Sequence, residues 1–126
     1  MSDIGIGIIG GGYMGKAHSV AFASVASVFD TALRPKLVTI CASTPDSAAT
    51  YRKAYGFEKA TSDWHTIVAD PDVHAIVIAS PQVTHHDIAL AALAAGKPVL
   101  CEKPLGISLE QSRSMVEAAK ASGVAN

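Results

Sequence analysis

The sequence lacks an excess of charge of either sign. Its 10 lysines and arginines nearly balance its 11 aspartates and glutamates, which gives a formal charge of -1. A domain that neutralises phosphate backbones carries a strong basic field, and this chain has none. We therefore expect no nucleic-acid partner.

The sequence also lacks a long hydrophobic run. The apolar stretch 4–12 is too short to span a bilayer, and no Lys or Arg precedes it, as a signal peptide would require. We expect a soluble, cytoplasmic protein with no membrane partner. Because 49% of the 126 residues are hydrophobic, residues 1–126 have enough apolar content to build one domain around one core.

Patterns typical of metal sites are missing as well. The five histidines form no HxxxH pair, no CxxC occurs, and no cluster of carboxylates lies beside any of them. We expect no metal site.

What the sequence does contain is a regular alternation of apolar strands and helical stretches. The predicted strands are 4–9, 36–42, 59–61, 75–79 and 98–101. The predicted helices are 13–28, 45–55, 63–69, 84–95 and 108–122, the last opened by a capping box of Ser108 and Gln111.

Strict alternation of this kind predicts an α/β fold with helices on both faces of a parallel, doubly wound sheet, that is, a Rossmann sheet. We predict the strand order 3-2-1-4-5, with a ligand crevice between strands one and four at their carboxyl ends. In this order Cys41 and Cys101 lie on strands three positions apart, roughly 14 Å at the usual strand spacing, so we expect reduced thiols.

A glycine-rich turn follows the first strand directly. Gly10, Gly12 and Gly15 form GxGxxG, and Tyr13 and Met14 open the helix within the same turn. Gly10 would permit the tight turn, Gly12 the approach of a pyrophosphate, and Gly15 close packing of helix on strand. These five residues are predicted to bind a dinucleotide. A P-loop is excluded because no GK[ST] follows.

The end of the second strand bears on the choice of cofactor. An acidic residue there usually binds the adenosine ribose of NAD, but this sequence has Ala42 at that place, followed by Ser43 and Thr44. These hydroxyls and the start of the next helix can bind a 2′-phosphate, so NADP is favoured over NAD. Because no Arg stands beside Ser43, an NAD site that dispenses with the acid remains the alternative.

Three segments make the chain similar to the Gfo/Idh/MocA oxidoreductases, which include glucose-fructose oxidoreductase and inositol dehydrogenase. They are GIIGGGYMGKAH at 7–18, VHAIVIASPQVTHHDIALAALAAGKPVLCEKP at 73–104 and AAKASGV at 118–124. The resemblance implies an NAD(P)-dependent enzyme that transfers hydride to or from a sugar, polyol or related carbonyl compound. The complete protein is expected to be a homo-oligomer.

The resemblance also implies further site residues. Ser80, Pro81, Gln82 and His85 match the family's Pro-Asn-x-x-His turn along the nicotinamide and its ribose, with Gln82 in place of the usual Asn. In Glu102-Lys103-Pro104, the first two residues would contact the nicotinamide end and the substrate, and Lys103 would be catalytic by polarising the reacting oxygen. His18 is expected to pack against the sheet instead.

The family's second domain, an α+β domain with an open antiparallel sheet, would supply the proton-transfer His and most substrate contacts. We expect that domain to be absent from this chain and the chain alone to be inactive. A non-enzymatic NAD(P)-binding sensor is the alternative, which Lys103 disfavours. Methyl transfer from S-adenosylmethionine is a third class of function. It is disfavoured because an acidic residue at the end of the second strand would be needed to bind the ribose, and the sequence has none there.

Overall fold

A computed structural model describes residues 2–126. Strands and helices alternate as predicted, and a single 3₁₀ turn, Gln82–Thr84, precedes the fourth helix. The strands are β1 (Ser2–Ile9), β2 (Leu33–Cys41), β3 (Lys59–Thr61), β4 (Ala75–Ile78) and β5 (Val99–Cys101). The helices are α1 (Tyr13–Val28), α2 (Pro45–Tyr55), α3 (Trp64–Ala69), α4 (His85–Ala94) and α5 (Leu109–Ser122).

The five strands form one parallel sheet in the order β3-β2-β1-β4-β5, which confirms the predicted order. β1 and β2 begin earlier than predicted because their first halves pair with each other, from Ser2 against Leu33 onward. Pro35 is tolerated within β2 because β3 pairs only with the last three residues of that strand. Proline has no N–H to donate, and at Pro35 no strand lies on the second side of β2 to require one.

Apolar residues of the central strands alternate between two cores, one on each face of the sheet. On one face Ile6, Ile8 and Ile40 are buried together with Phe57. On the other face the strands pack against α4 and α5 through residues such as Ile88. Helices therefore cover both faces, as a parallel sheet whose strands are buried on both sides requires.

Local sequence signals explain most of the helix ends. Thr44 caps α2 by accepting a hydrogen bond from the backbone N–H of Ser47, Pro45 occupies the first helical position, and Gly56 ends the helix in the left-handed conformation. Ser108 caps α5, but the predicted capping box is wrong in one half. The Gln111 side chain accepts from the N–H of Ile107, one residue before the expected N–H of Ser108.

Cys41 and Cys101 are free thiols on strands three positions apart in the sheet. Burial raises the pKa of each to about 11, so both are protonated at neutral pH. Within residues 2–126, none of the helices combines the length and the apolar character that crossing a membrane demands.

Candidate functional site

A crevice of about 670 Å³ opens at the carboxyl ends of β1, β2 and β4. Here the chain runs from β1 to a neighbouring strand on one side and from β4 to a neighbouring strand on the other side. Open parallel sheets bind ligands at such a position. Trp64 and Tyr51 provide aromatic surface on its walls. The predicted site residues that line it are Gly10, Gly12, Ser43, Ser80 and Pro81.

The glycine turn has the shape that a dinucleotide pyrophosphate requires. A Cβ atom at Gly12 would meet no atom within 4 Å, so this residue borders open space at the start of α1. Gly10 has a φ of 104°, and a Cβ atom there would lie 2.5 Å from the carbonyl of Ala79. At Gly15 a Cβ atom would lie 1.9 Å from the Gly10 oxygen. The three glycines therefore fit their expected roles of turn, ligand approach and helix packing, and the crevice fits the cofactor.

A fourth glycine and two tyrosines of α2 complete this turn, and none of the three was predicted from the sequence. A Cβ atom at Gly11 would lie 2.1 Å from the ring of Tyr51, so the aromatic ring rests directly on the turn. The Tyr55 hydroxyl donates a hydrogen bond of 2.8 Å to the Gly11 carbonyl. The two rings stack on each other with centroids 5.4 Å apart. Their spacing of four residues on a predicted helix was the available signal.

At the end of β2, the predicted phosphate ligands are only partly available. Ser43 is exposed and borders the crevice. The Thr44 hydroxyl accepts from the backbone N–H of Ser47 and lies 2.8 Å from the Ser47 hydroxyl, so it is committed to capping α2. Asp46 is a carboxylate in the first turn of the same helix. Of these two predicted hydroxyls, that of Ser43 is the one that borders the crevice and takes no part in capping α2.

The turn after β4 is fastened to the loop after β5. His85 is 2% exposed, and its Nδ1 lies 3.0 Å from the Pro104 oxygen and 3.1 Å from the Leu105 oxygen. Its Nε2 lies 2.8 Å from the Ser80 oxygen. Whichever ring nitrogen carries the proton, its partners in the described chain are backbone carbonyls. The buried ring therefore joins two loops, and a direct contact of His85 with a cofactor stays a prediction.

Gln82 contributes to the same junction. Its side-chain amide donates a hydrogen bond of 2.8 Å to the Gly106 carbonyl. The resemblance implies Asn at this position, and the longer Gln side chain reaches the loop after β5. Ser80 and Thr84 hydroxyls lie 2.7 Å apart and close the turn itself. The turn and the loop consequently form one unit at this end of the crevice.

Glu102 and Lys103 belong to that loop. The Glu102 carboxylate lies 2.7 Å from Nε2 of His18, and this hydrogen bond is the main reason that the pKa of Glu102 is lowered. His18 therefore has a polar partner that the expectation of packing against the sheet did not include. The Lys103 side chain is exposed and makes no hydrogen bond or ion pair within residues 2–126. Tyr13 and Met14 are also exposed, at the opening of α1.

The fold and the site together define the class of protein domain. A parallel sheet of this order, with a glycine turn opening α1 beside the crevice, is a dinucleotide-binding Rossmann domain. A family model described as an oxidoreductase family with an NAD-binding Rossmann fold matches residues 4–125. The chain belongs to this family, the Gfo/Idh/MocA oxidoreductases, as the resemblance implied.

Individual relatives are similar over almost the whole chain. Levoglucosan dehydrogenase of Pseudarthrobacter phenanthrenivorans is 45% identical over 121 residues, which cover 95% of this chain and 31% of that protein. Inositol 2-dehydrogenase of Acidothermus cellulolyticus is 36% identical over 121 residues, covering 96% of this chain and 34% of that protein. The chain therefore spans about a third of the length of these curated relatives.

Solved structures give the same result. A levoglucosan dehydrogenase in complex with NADH matches with a TM-score of 0.91 and 44% identity, covering 94% of this chain and 32% of that one. An NAD binding oxidoreductase from Klebsiella pneumoniae matches with a TM-score of 0.93 and 40% identity, covering 97% and 33% respectively. The chain is thus an NAD-binding Rossmann domain of an oxidoreductase family.

Proposed function

We propose that this chain holds a nicotinamide dinucleotide in the crevice between β1 and β4 and serves as the cofactor domain of a dehydrogenase. The observation that carries the proposal is the open space over Gly12, directly at the N-terminus of α1. Backbone N–H groups at a helix start favour an anion, and a residue without Cβ lets a pyrophosphate approach them. Gly12 would let the pyrophosphate approach, while Gly10 forms the turn and Gly15 lets α1 pack against it.

The nicotinamide would lie toward the turn after β4, bordered by Ser80 and Pro81 and by the loop that carries Glu102 and Lys103. When bound, it would accept or donate a hydride. The exposed Lys103 ammonium can donate a hydrogen bond to a substrate hydroxyl or carbonyl oxygen at the reacting carbon. Gln82 and His85 would keep the turn and loop at a fixed separation, through their bonds to Gly106, Pro104 and Leu105.

The relatives support a proposal for the class of substrate. A levoglucosan dehydrogenase and an inositol 2-dehydrogenase are among them, and one solved structure holds NADH together with levoglucosan. We propose a sugar, a polyol or a related carbonyl compound as the substrate, contacted mainly by a second domain of the complete enzyme. That enzyme is also proposed to be a homo-oligomer.

The preference between the two cofactors is a finer part of the proposal. Ala42 removes the carboxylate that would repel a 2′-phosphate, and the exposed Ser43 can hydrogen-bond one. No Lys or Arg occurs between Cys41 and Tyr51 to pair with the phosphate. We propose a modest preference for NADP, even though the related levoglucosan dehydrogenase was solved with NADH.

Calorimetric titration of the chain with NADPH and NADH tests both parts. Binding of either cofactor supports the site, and tighter binding of NADPH supports the preference. Ala42→Asp should reverse that preference, because its carboxylate repels the phosphate and accepts from a ribose hydroxyl. Equal affinities, or tighter NADH in the unchanged chain, would refute the NADP preference. Absence of binding to both would refute the site.

The catalytic role is tested in the complete enzyme. Lys103→Ala should lower turnover on the order of 100-fold, the lower end of what a positioned acid-base group contributes, with cofactor affinity nearly unchanged. Steady-state kinetics and cofactor titration measure the two quantities separately. If Lys103→Ala instead abolishes cofactor binding, then Lys103 is an anchor for the cofactor and has no catalytic role.

A further inference from the structure

The contact between His18 and Glu102 joins two parts of the site that are far apart in the sequence. His18 lies on α1, one turn beyond Gly15, and Glu102 follows β5 directly. Their side chains meet at 2.7 Å although the residues are 84 positions apart. The two side chains are 19% and 17% exposed, so water competes only weakly for this bond.

The pair bridges the carboxyl end of the sheet. β4 lies between β1 and β5, and the backbone N–H of Glu102 donates to the carbonyl of Ile78 at the end of β4. The pair therefore reaches over β4 and joins the helix that opens at Gly12 to the loop that carries Lys103. The backbone N–H of Lys103 also faces the Glu102 carboxylate and contributes to its lowered pKa.

We infer that His18 is a positioning residue, which holds Glu102 and thereby fixes the Lys103 loop at a set distance from the glycine turn. This inference rests on the proposed function, because the loop forms the nicotinamide end of the crevice only if a dinucleotide lies there. His18 itself need not touch the cofactor. Its effect should be confined to the nicotinamide end.

Residues other than His18 hold α1 against the sheet. Gly15 packs against the Gly10 carbonyl, Ser19 is 1% exposed, and Phe22 packs against the core that contains Ile8. Loss of the imidazole should therefore leave the helix and the pyrophosphate turn in place. It would free the Glu102 carboxylate and release the Lys103 loop from α1, while Gln82 and His85 would still join that loop to the turn after β4.

Two ligands separate these effects. NADH would occupy the whole crevice, whereas ADP-ribose keeps both riboses and the pyrophosphate and lacks only the nicotinamide ring. Both are titrated by calorimetry into the unchanged chain and into His18→Ala and His18→Gln, the second of which keeps an N–H donor near the position of Nε2. His86→Ala is the matched control, because His86 is 22% exposed and has a carboxylate partner, Asp87, but lies on α4 and bonds to Ser114.

We expect His18→Ala to weaken NADH binding about fivefold, the loss of roughly one hydrogen bond, while ADP-ribose binding stays within about twofold. His18→Gln should recover most of the NADH affinity, and His86→Ala should change neither ligand. In an NMR titration, the pKa of Glu102 should rise toward its usual value in His18→Ala, because the bond that lowers it is gone.

Equal weakening of both ligands would overturn the inference, since it would mean that His18 acts on α1 as a whole. Unchanged NADH affinity, or an unchanged pKa of Glu102, would also overturn it. If the unchanged chain bound NADH and ADP-ribose equally, the loop would not contact the nicotinamide. The inference about His18 would then fail, while the proposed function would stand. If the unchanged chain bound neither ligand, the proposed function would fail as well. Melting temperatures of all variants distinguish these outcomes from misfolding.

Discussion

Replacing two glycines of the same turn by alanine should produce opposite results. Gly12 has φ -71° and ψ -155°, values that alanine adopts readily, and its new methyl group would point into open space. Gly15 is buried, and its new methyl group would lie 1.9 Å from the Gly10 carbonyl oxygen. Each variant thus replaces one hydrogen by a methyl group, and both changes lie at the start of the same helix.

The effect of Gly12→Ala on folding should be small. Fewer unfolded conformations stabilise the alanine variant by about 0.4–1 kcal/mol. Loss of glycine at the N-cap of α1 works in the opposite direction by some tenths of a kcal/mol to about 1 kcal/mol. The net change in the free energy of unfolding should stay within about 1 kcal/mol. Cofactor affinity should fall by about tenfold or more, because the methyl group occupies the space for the pyrophosphate.

Gly15→Ala should behave in the reverse manner. The methyl group must gain about 1 Å or more of separation from the Gly10 carbonyl, so α1 must move away from β1 or the turn must deform. Overpacking of this kind typically costs about 1–3 kcal/mol, which corresponds to a fall in melting temperature of about 4–15 °C for a domain of this size.

Thermal melts of the cofactor-free variants and calorimetric titrations with NADPH or NADH give the two quantities for each variant. The titrations are run well below the melting temperature of each variant, so that unfolding does not mimic weak binding. The assignment would be refuted if Gly12→Ala lost stability and affinity to the same degree, or if Gly15→Ala melted at the temperature of the unchanged chain.

Two further predictions concern buried groups. His85→Ala should destabilise the domain by about 2 kcal/mol or more, because a buried ring is lost together with the bond from its N–H to the carbonyls on one side of it. A loss of less than about 0.5 kcal/mol in a melt would contradict this. The free energy of unfolding should keep the full contribution of the two thiols below pH 9 and should fall as the pH rises toward about 11. The reason is that Cys41 and Cys101 release their protons near the usual pKa of 9.0 in the unfolded chain, whereas the folded chain retains them. Denaturation at several pH values, with the Cys-to-Ala variants as controls, measures this; a free energy of unfolding that does not decline above pH 9 in the unchanged chain would contradict it.

The sequence by itself determined the alternation of elements, the parallel sheet and its order. Apolar periodicity and end signals are local, so the bounds of α1, α2 and β3 agree with those predicted. The GxGxxG turn was likewise readable because its meaning depends only on the strand before it and the helix after it.

Tertiary structure alone decided which side chains share the site. His85 and Gln82 bond to carbonyls about 20 residues away, and His18 bonds to Glu102 across 84 positions. These partners depend on how far each loop extends beyond the sheet and which way its side chains turn, which no local pattern encodes. The same holds for Gly11, whose missing Cβ makes room for the ring of Tyr51. Hydrophobic burial fixed the sheet from local patterns, whereas short-range polar contacts between distant loops required the completed fold.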